Sequence, residues 1–317
     1  VLPDALACLA ASAALAVSDI PIQEIISEVR IGRKNGEFIV NPSRTELKEC
    51  DLEFIIAATE KNIMMVEGEA KECQEEDLIK AIELAHDAVK AQIQAQVDLR
   101  AQLGNIGKRE YTKPYRNEEL NAKITEFAKD KMYAISASAS AKHERSDAFD
   151  ALKKEVKEFL GEELPAEDKA LIGHYFGDLQ YYVVRDMILN DRKRLDGRGT
   201  EDIRDLNMET DILPTPHGSA LFTRGETQSL TTVTFGTPLD ELLVESAFKS
   251  EYTKFILHYN FPPFSTGEVK MMRGVGRREV GHGNLAMRSL KQMMPGSEYP
   301  YTIRVVSDIL ESNGSSS

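Results

Sequence analysis

The sequence predicts an α+β protein in which two partial sheet-and-helix cores are joined by a small all-helical domain. Two strand pairs precede a long amphipathic helix near the start, helical periodicity alone runs through the middle, and strand patterns return near the end. Of the 317 residues, 42% are hydrophobic and 29% are charged, which is typical of a globular chain with two or three domains. We predict domains at 1–104, 105–190 and 191–317.

The first predicted domain begins with an Ala-rich helix over 3–18, which we expect to be buried in a core, since it lacks the basic start of a signal peptide. Asn35-Gly36 separates two strands and is a strong hairpin signal. A second hairpin joins LEFIIAAT to IMMVEGEA. Apolar residues then recur every three or four positions and predict a helix from Glu75 to about Leu103.

The middle and last predicted domains differ sharply in pattern. Residues 104–118 have the Gly, Pro and polar composition of a linker, and three amphipathic helices follow up to about residue 190. Beyond DRKRLDGRGT, the chain is predicted to form a strand pair around Arg224-Gly225, a strand in FILHYNFPPF, a helix in RREVGHGNLAMRSLKQMM and a final strand in YTIRVVSDIL.

Charge restricts the possible partners. The formal net charge of −13 argues against a generally basic nucleic-acid binder. Residues 270–288, however, contain five Lys or Arg residues and only one acid, Glu279, so a local patch can still attract a polyanion. Three widely spaced cysteines suit a reducing compartment, and we expect a cytoplasmic protein that does not cross a membrane.

The strongest candidate residues are Arg277, Arg278 and His282 in GVGRREVGHG. Arginine binds phosphate oxygens bidentately, and a histidine one helical turn later can contact a phosphate, sugar or base. Nearby glycines favour close approach of the backbone to a ligand. The alternative, a solvated arginine pair with a capping histidine, fits the pattern about equally well.

The second candidate site is the run Ser315, Ser316 and Ser317, which follows a Gly-containing turn after a strand. Backbone N–H groups and hydroxyls in such a turn can hold phosphate. Taken by itself, the run is better explained as a flexible tail, but against this Ser312-Asn313-Gly314 follows the apolar strand without a polar spacer. Arg194, Arg198 and Arg224 are weaker candidates for contact with RNA. The first two lie in a basic linker, where pairing with Asp191 and Asp196 is the favoured interpretation, and Arg224 lies at a β-turn and is similarly ambiguous.

Several common sites are missing from the sequence. It contains no Walker loop, no dinucleotide fingerprint after a strand, no HExxH motif and no CxxC pair. No cluster of Asp and Glu has convincing metal-ligand spacing, so we assign no metal ligand to this chain.

The motifs RLDGRG, HGSALFTRGETQ, HYNFPPFSTGE, RREVGHG and YTIRVVSDILESNGSSS, in this order, closely resemble the bacterial polynucleotide phosphorylase family. The resemblance covers essentially the whole chain and is most specific after residue 190. It implies the second half of one ribonuclease-PH-like core, an all-helical domain, and the first part of a second, catalytic core. The sequence is thus expected to be an internal piece of a longer protein.

The resemblance implies a phosphorolytic exoribonuclease that degrades single-stranded RNA from its 3′ end, with inorganic phosphate as co-substrate and nucleoside diphosphates as products. It implies a homotrimer, Mg²⁺ or Mn²⁺ as cofactor, and possible participation in an RNA-degradation complex. In the family, the arginines and histidine matching Arg277, Arg278 and His282 line the active site, and the serines matching Ser315, Ser316 and Ser317 hold phosphate. The metal-binding aspartates are expected beyond Ser317, so these 317 residues alone are expected to be inactive.

Two alternatives remain open at this point. The chain can belong to a non-catalytic RNA-binding or ring-assembly subunit with the same fold. It can also belong to a hydrolytic relative that uses water as the nucleophile. This alternative is less favoured, because a site in which water attacks has little need for so many groups that bind phosphate.

Overall fold

The computed structural model describes residues 2–161, 163–246, 249–272, 274–296 and 298–312. The chain forms two compact units: Val1–Tyr111 together with Asn207–Ser317, and Thr112–Leu206. In the described part of the chain, no helix is long and apolar enough to cross a membrane.

The first half of the larger unit is an antiparallel sheet packed against helices. Its elements are α1 (Pro3–Val17), β1 (Ser27–Lys34), β2 (Glu37–Val40), α2 (Arg44–Leu47), β3 (Leu52–Ala58), β4 (Ile63–Ala70) and α3 (Glu75–Gln102). The strands lie in the order β2-β1-β3-β4, and all neighbouring pairs are antiparallel. Both predicted hairpins and the predicted long helix are present.

The hairpin between β1 and β2 follows from its turn residues. Asn35 has φ of 51° and Gly36 has φ of 82°, so both lie in the left-handed region that a two-residue hairpin of this type requires. Behind the sheet, α3 presents small and branched side chains that contact the buried residues of β1 and β3. The shared core consists of Val29, Ile31, Leu52, Ile56, Ala58, Ala81, Ala85, Val89 and Ile93.

The prediction that the first helix is buried is wrong for most of its surface. Only Ala5, Ser12 and Ala16 of α1 are buried, whereas Leu6 is 54% exposed. The helix packs against β1 and α3 along one narrow face. The rest of its surface is rich in alanine and is therefore apolar, but it is not buried. Composition alone could not distinguish such a helix from one in the core.

The smaller unit is the predicted helical bundle. It contains α4 (Glu118–Ala137), α5 (Lys142–Leu160) and α6 (Ala166–Asp191). Asn117 caps α4 by accepting the Leu120 N–H at 3.1 Å. Segment 192–205 also belongs to this compact unit: it folds on itself, and Arg145 donates to the Leu195 carbonyl oxygen at 3.3 Å.

The second half of the larger unit is a five-stranded mixed sheet with one long helix. Its elements are β5 (Leu206–Thr210), β6 (Gly218–Arg224), β7 (Thr227–Gly236), β8 (Leu242–Ser246), β9 (Lys249–Thr253), β10 (Phe255–Asn260), α7 (Arg277–Lys291) and β11 (Thr302–Glu311). The strand order is β10-β11-β7-β6-β5, while β8 and β9 form a separate hairpin that the sequence did not indicate. Between the parallel strands β10 and β11, the chain crosses over through α7.

Candidate anion-binding site

The candidate site lies at one edge of the second sheet, where three strands end together. β10 and β11 are parallel, and β7 is antiparallel to both β11 and β6. β6 therefore runs in the same direction as β10 and β11, and their carboxyl ends share one edge. Arg224 ends β6, Asn260 ends β10, and Ser312 follows β11. Ligands in α/β units bind preferentially at such an edge.

Helix α7 begins at this same edge. A Cβ atom placed on Gly283 would lie 3.2 Å from the Cβ of Tyr259, so the helix approaches β10 closely there. The His282 ring meets the Tyr259 ring edge-on, with centroids 5.4 Å apart. About one turn earlier, Glu279 of the helix accepts a hydrogen bond from the N–H of Phe261, the residue just beyond β10. The positive end of the α7 dipole therefore faces the ends of the strands.

The start of α7 and the end of β10 border a cleft with a volume of about 860 Å³. Its walls include Arg278, His282 and Ser312, together with the turn that follows β10 and the loop that precedes α7. This volume can hold an anion together with part of a larger ligand.

Two groups in the cleft have unused hydrogen-bonding capacity. The Nδ1 atom of His282 is buried and has no hydrogen-bond partner among the described residues. Arg278 is exposed, and no described carboxylate forms an ion pair with it. A guanidinium and an imidazole that face one cleft can together bind an oxyanion.

The structure brings some of the predicted residues together and leaves others apart. Arg278 and His282 lie in the cleft, while Arg277 is exposed in the first turn of α7, outside the described lining. Ser315, Ser316 and Ser317 lie outside the described residues. Their last described neighbour is Ser312, a buried residue of the cleft wall whose N–H donates to the Ser265 carbonyl oxygen at 2.8 Å.

Arg224 lies at the same edge of the sheet. Its partner across the β6–β7 turn is Thr227, and Gln228 beside it pairs with Glu311 at the end of β11. The Nε atom of Arg224 is buried and has no hydrogen-bond partner in the described part of the chain. Arg224 therefore ends a strand that is two positions from β11 in the sheet, and it is not one of the described lining residues of the cleft.

The other two arginine candidates belong to the helical unit. Arg194 donates to the Thr200 carbonyl oxygen at 2.7 Å. Arg198 donates to Asp196 and to the Asp202 carbonyl oxygen, both at 2.9 Å. These contacts order the loop after α6, which is the local pairing that the sequence offered as the alternative to RNA contact.

The described residues do not fit a divalent-cation site. Over the ranges that the structure describes, no three His, Cys, Asp or Glu side chains are grouped so that they could hold a metal ion. At the sheet edge, Asp308 accepts a hydrogen bond from Asn260 Nδ2 at 2.7 Å, and Glu279 accepts two backbone N–H groups. Carboxylates are therefore present near the cleft, but they already have protein partners.

Glu279 and Asn260 are site-edge residues that sequence reasoning missed. Glu279 had counted only as the single acid of a basic segment. A usable signal was present, because a Glu three residues after the residue preceding a helix is typical of a capping interaction. No local signal indicated Asn260, whose partner Asp308 is 48 positions away in the chain.

Comparison with known proteins shows that three parts of the chain match protein-family models. Residues 24–88 match the family model described as "3' exoribonuclease family, domain 2", and residues 202–317 match "3' exoribonuclease family, domain 1". Between them, residues 119–199 match "Polyribonucleotide nucleotidyltransferase, RNA binding domain". The order agrees with the second part of one core, a helical region and the first part of another core, so the predicted fold class is confirmed.

Individual relatives agree with the family models. The chain is 55% identical over 317 residues to the polyribonucleotide nucleotidyltransferase of Parabacteroides distasonis, covering all of this chain and 42% of the relative. Identity to the Bacteroides fragilis protein of the same name is 54%, covering 45% of that protein. The chain thus spans less than half the length of these relatives.

Among solved structures, the chain resembles the Archaeoglobus fulgidus exosome with RNA bound to the active site. Identity is 17%, coverage is 44% of this chain and 55% of that chain, and the TM-score is 0.31. A similarity this low supports no inference about the site.

Proposed function

We propose that this chain is part of a polyribonucleotide nucleotidyltransferase and that the full-length protein is a phosphorolytic 3′-to-5′ exoribonuclease. By full-length protein we mean these residues with their natural flanking sequence. An oxygen of inorganic phosphate attacks the phosphorus of the last phosphodiester of RNA. The bond from that phosphorus to the preceding 3′ oxygen breaks, a nucleoside diphosphate leaves, and the shortened RNA keeps a 3′ hydroxyl. The reverse reaction polymerises nucleoside diphosphates.

The observation that carries this proposal is the cleft at the start of α7. Arg278 and His282 face it, and the strand that leads to the serine run ends in its wall at Ser312. Attack of one phosphate on another concentrates negative charge at the reacting phosphorus. A fixed guanidinium and fixed N–H donors stabilise such charge without reorganising during the reaction.

The proposed roles follow from position. Arg278 and His282 are proposed as catalytic groups that bind the reacting phosphates, and Arg277, one residue earlier, contacts the RNA or phosphate at the mouth of the cleft. Ser315, Ser316 and Ser317 are proposed to hold inorganic phosphate. Arg224, at the same sheet edge, is proposed to contact RNA, and the same role is proposed with weaker support for Arg194 and Arg198, whose guanidinium groups already bind the loop after α6.

A divalent cation, Mg²⁺ or Mn²⁺, is proposed for the full-length protein, where it would neutralise charge on the transferring phosphate. No described residue is assigned to it. What the described residues do is bind and orient the anion.

We further propose a homotrimer that binds single-stranded RNA, acts in the cytoplasm and participates in an RNA-degradation complex. Support for RNA binding comes from the family model matched by residues 119–199. Support for a reducing compartment comes from the free thiols of Cys8, Cys50 and Cys73. The division into domains 1–104, 105–190 and 191–317 is kept as part of this proposal.

The decisive test replaces Arg278 in the full-length protein. We expect Arg278→Ala to reduce phosphate-dependent release of nucleoside diphosphates by about 10- to 150-fold, because a hydrogen bond to a charged group contributes about 1.5–3 kcal/mol. Arg278→Lys should keep the charge but lose bidentate geometry, and should recover only part of the activity. Arg277→Ala should also reduce activity.

Arg304→Ala is the matched control. Arg304 is exposed on β11 next to Ile303 and Val305 in the alternating pattern, so it points away from the face that α7 covers. Arg304→Ala removes the same charge as Arg278→Ala at a position outside the cleft, and it should leave phosphorolysis within about twofold of wild type. Equal activity of Arg278→Ala and Arg304→Ala would refute the assigned site. A full-length protein that binds RNA but releases no nucleoside diphosphate would instead support the non-catalytic alternative.

A further inference from the structure

We infer that Glu279 is a positioning residue for the proposed phosphorolytic site, because its carboxylate ties the start of α7 to the end of β10. This inference rests on the proposed function of the cleft. Glu279 does not need to touch substrate in this role. It acts through Arg278, which precedes it directly and lies in the cleft wall.

The contacts that support the inference involve both oxygens of one carboxylate. The Gly276 N–H donates to Glu279 Oε2 at 2.6 Å, and the Phe261 N–H donates to Glu279 Oε1 at 2.9 Å. Gly276 immediately precedes α7, whereas Phe261 immediately follows β10. One side chain therefore joins two segments that are 15 positions apart and that both line the cleft.

The chemistry of the side chain explains why an acid is found here. A site for phosphate and RNA is harmed by a negative charge, so an acid in its wall needs a compensating role. Only a carboxylate accepts from two separate N–H groups on two equivalent oxygens, whereas a Gln side chain offers one oxygen and one N–H₂ donor. Glutamate is thus the side chain that can satisfy both amides, and each amide in turn neutralises part of its charge.

Loss of the tie has a local consequence. Without it, the first turn of α7 loses its side-chain hydrogen bond to the residue after β10, whereas the contacts of His282 and Gly283 with Tyr259 one turn later remain. Arg278 lies in that first turn. Misplacement of a catalytic group by about 1 Å can lower a rate by about 100-fold, even when the fold is intact.

The first measurement is amide hydrogen exchange in the full-length protein, and it does not depend on activity. In Glu279→Ala, the amides of Gly276 and Phe261 should exchange at least about tenfold faster than in wild type, whereas amides of β11 should be unchanged. Glu279→Gln should give an intermediate rate, because one of the two bonds can persist. It also keeps the test usable if the alanine variant does not fold. Unchanged exchange at both amides would overturn the inference.

The matched control is Glu268→Gln. Glu268 borders the same cleft but pairs with Lys270 at 2.7 Å rather than with backbone amides on two elements. Glu268→Gln and Glu279→Gln remove the same charge from the same cleft. Any fall in kcat seen only with Glu279→Gln is therefore due to the tie, and an equal change in both variants would reduce the role of Glu279 to its charge and overturn the inference.

The second measurement is a double-mutant cycle with Arg278. Glu279→Ala alone should lower kcat by about 10- to 100-fold. In an Arg278→Ala background the same change should cost less than about threefold, because the group that Glu279 positions is gone. Equal losses in the two backgrounds would show that Glu279 does not act through Arg278. If wild type lacks phosphorolysis, the proposed function fails, while the exchange measurement still reports on the tie.

Discussion

The contact between α7 and β10 can be tested with a pair of alanine substitutions on one helix. Gly281 and Gly283 both lie inside α7, two residues apart. A Cβ on Gly281 would have no atom within 4 Å, whereas a Cβ on Gly283 would lie 3.2 Å from Tyr259 Cβ and 3.9 Å from a methyl carbon of Leu257. The two variants share the same helix-forming gain and differ in this contact.

The expected magnitudes follow from two opposing effects. Replacing Gly by Ala inside a helix stabilises it by about 0.5–1 kcal/mol. Carbon atoms pack at about 3.5–4.0 Å, so the methyl group at Gly283 must push α7 from β10 by about 0.3–0.8 Å. Overpacking of this kind costs about 1–3 kcal/mol. Gly281→Ala should therefore stabilise α7, Gly283→Ala should be neutral to destabilising by about 2 kcal/mol, and the two should differ by about 1–3 kcal/mol.

Native-state amide exchange of α7 is the suitable assay, because the chain forms two compact units and global unfolding need not be two-state. The opening free energy of the α7 amides would be compared among wild type, Gly281→Ala and Gly283→Ala. If Gly283→Ala raised this free energy as much as Gly281→Ala, the close approach of α7 to β10 would be wrong. The position assigned to His282 would then lose its basis as well.

Two further predictions concern the first sheet. Gly68→Ala should lower the free energy of unfolding by about 1–3 kcal/mol, because its Cβ would clash with the Glu53 carbonyl oxygen and lie 2.7 Å from Phe54 Cα. Gly107→Ala, which has open space around it, should have little effect when the thermal unfolding of the two variants is compared. A hydrogen bond from Arg33 lowers the pKa of the Asp51 carboxyl. The stability this adds is present above the unfolded pKa of about 3.9 and disappears as the pH falls through the lower folded pKa. The free energy of unfolding should thus decline from pH 6 to pH 2, and it should decline less in Asp51→Asn than in wild type. Identical profiles of the two proteins would contradict the ion pair.

The proposed binding of RNA is compatible with the acidic composition of the chain. The formal net charge is −13, yet the mouth of the cleft carries adjacent arginines at the positive end of a helix. Because mobile ions screen exposed charges beyond about 8–10 Å, the local arrangement near the cleft matters more to a bound phosphate than the total charge. RNA binding through this cleft should therefore weaken with rising salt despite the acidic composition.

Local features of the fold could be predicted from the sequence alone. The hairpin at Asn35-Gly36, the spacing of apolar residues in α3 and the alternation of helix and strand in the last third are each determined within a few neighbouring residues. They result from the backbone preferences of single residues and from the spacing of apolar residues along the chain, and neither depends on distant parts of the chain. The motifs around Arg278 also indicated the right helix, since its glycines and arginines are adjacent in the chain.

Only the tertiary structure decided which residues share a site. The ends of β6, β10 and β11 meet because the strand order differs from the chain order, and this brings Arg224 and Ser312, 88 positions apart, to one edge. The same is true of Glu279, whose role depends on an amide at the end of β10. The exposure of α1 likewise depends on what packs beside it. Periodicity describes one element at a time, whereas strand order, shared edges and burial are properties of several elements packed together.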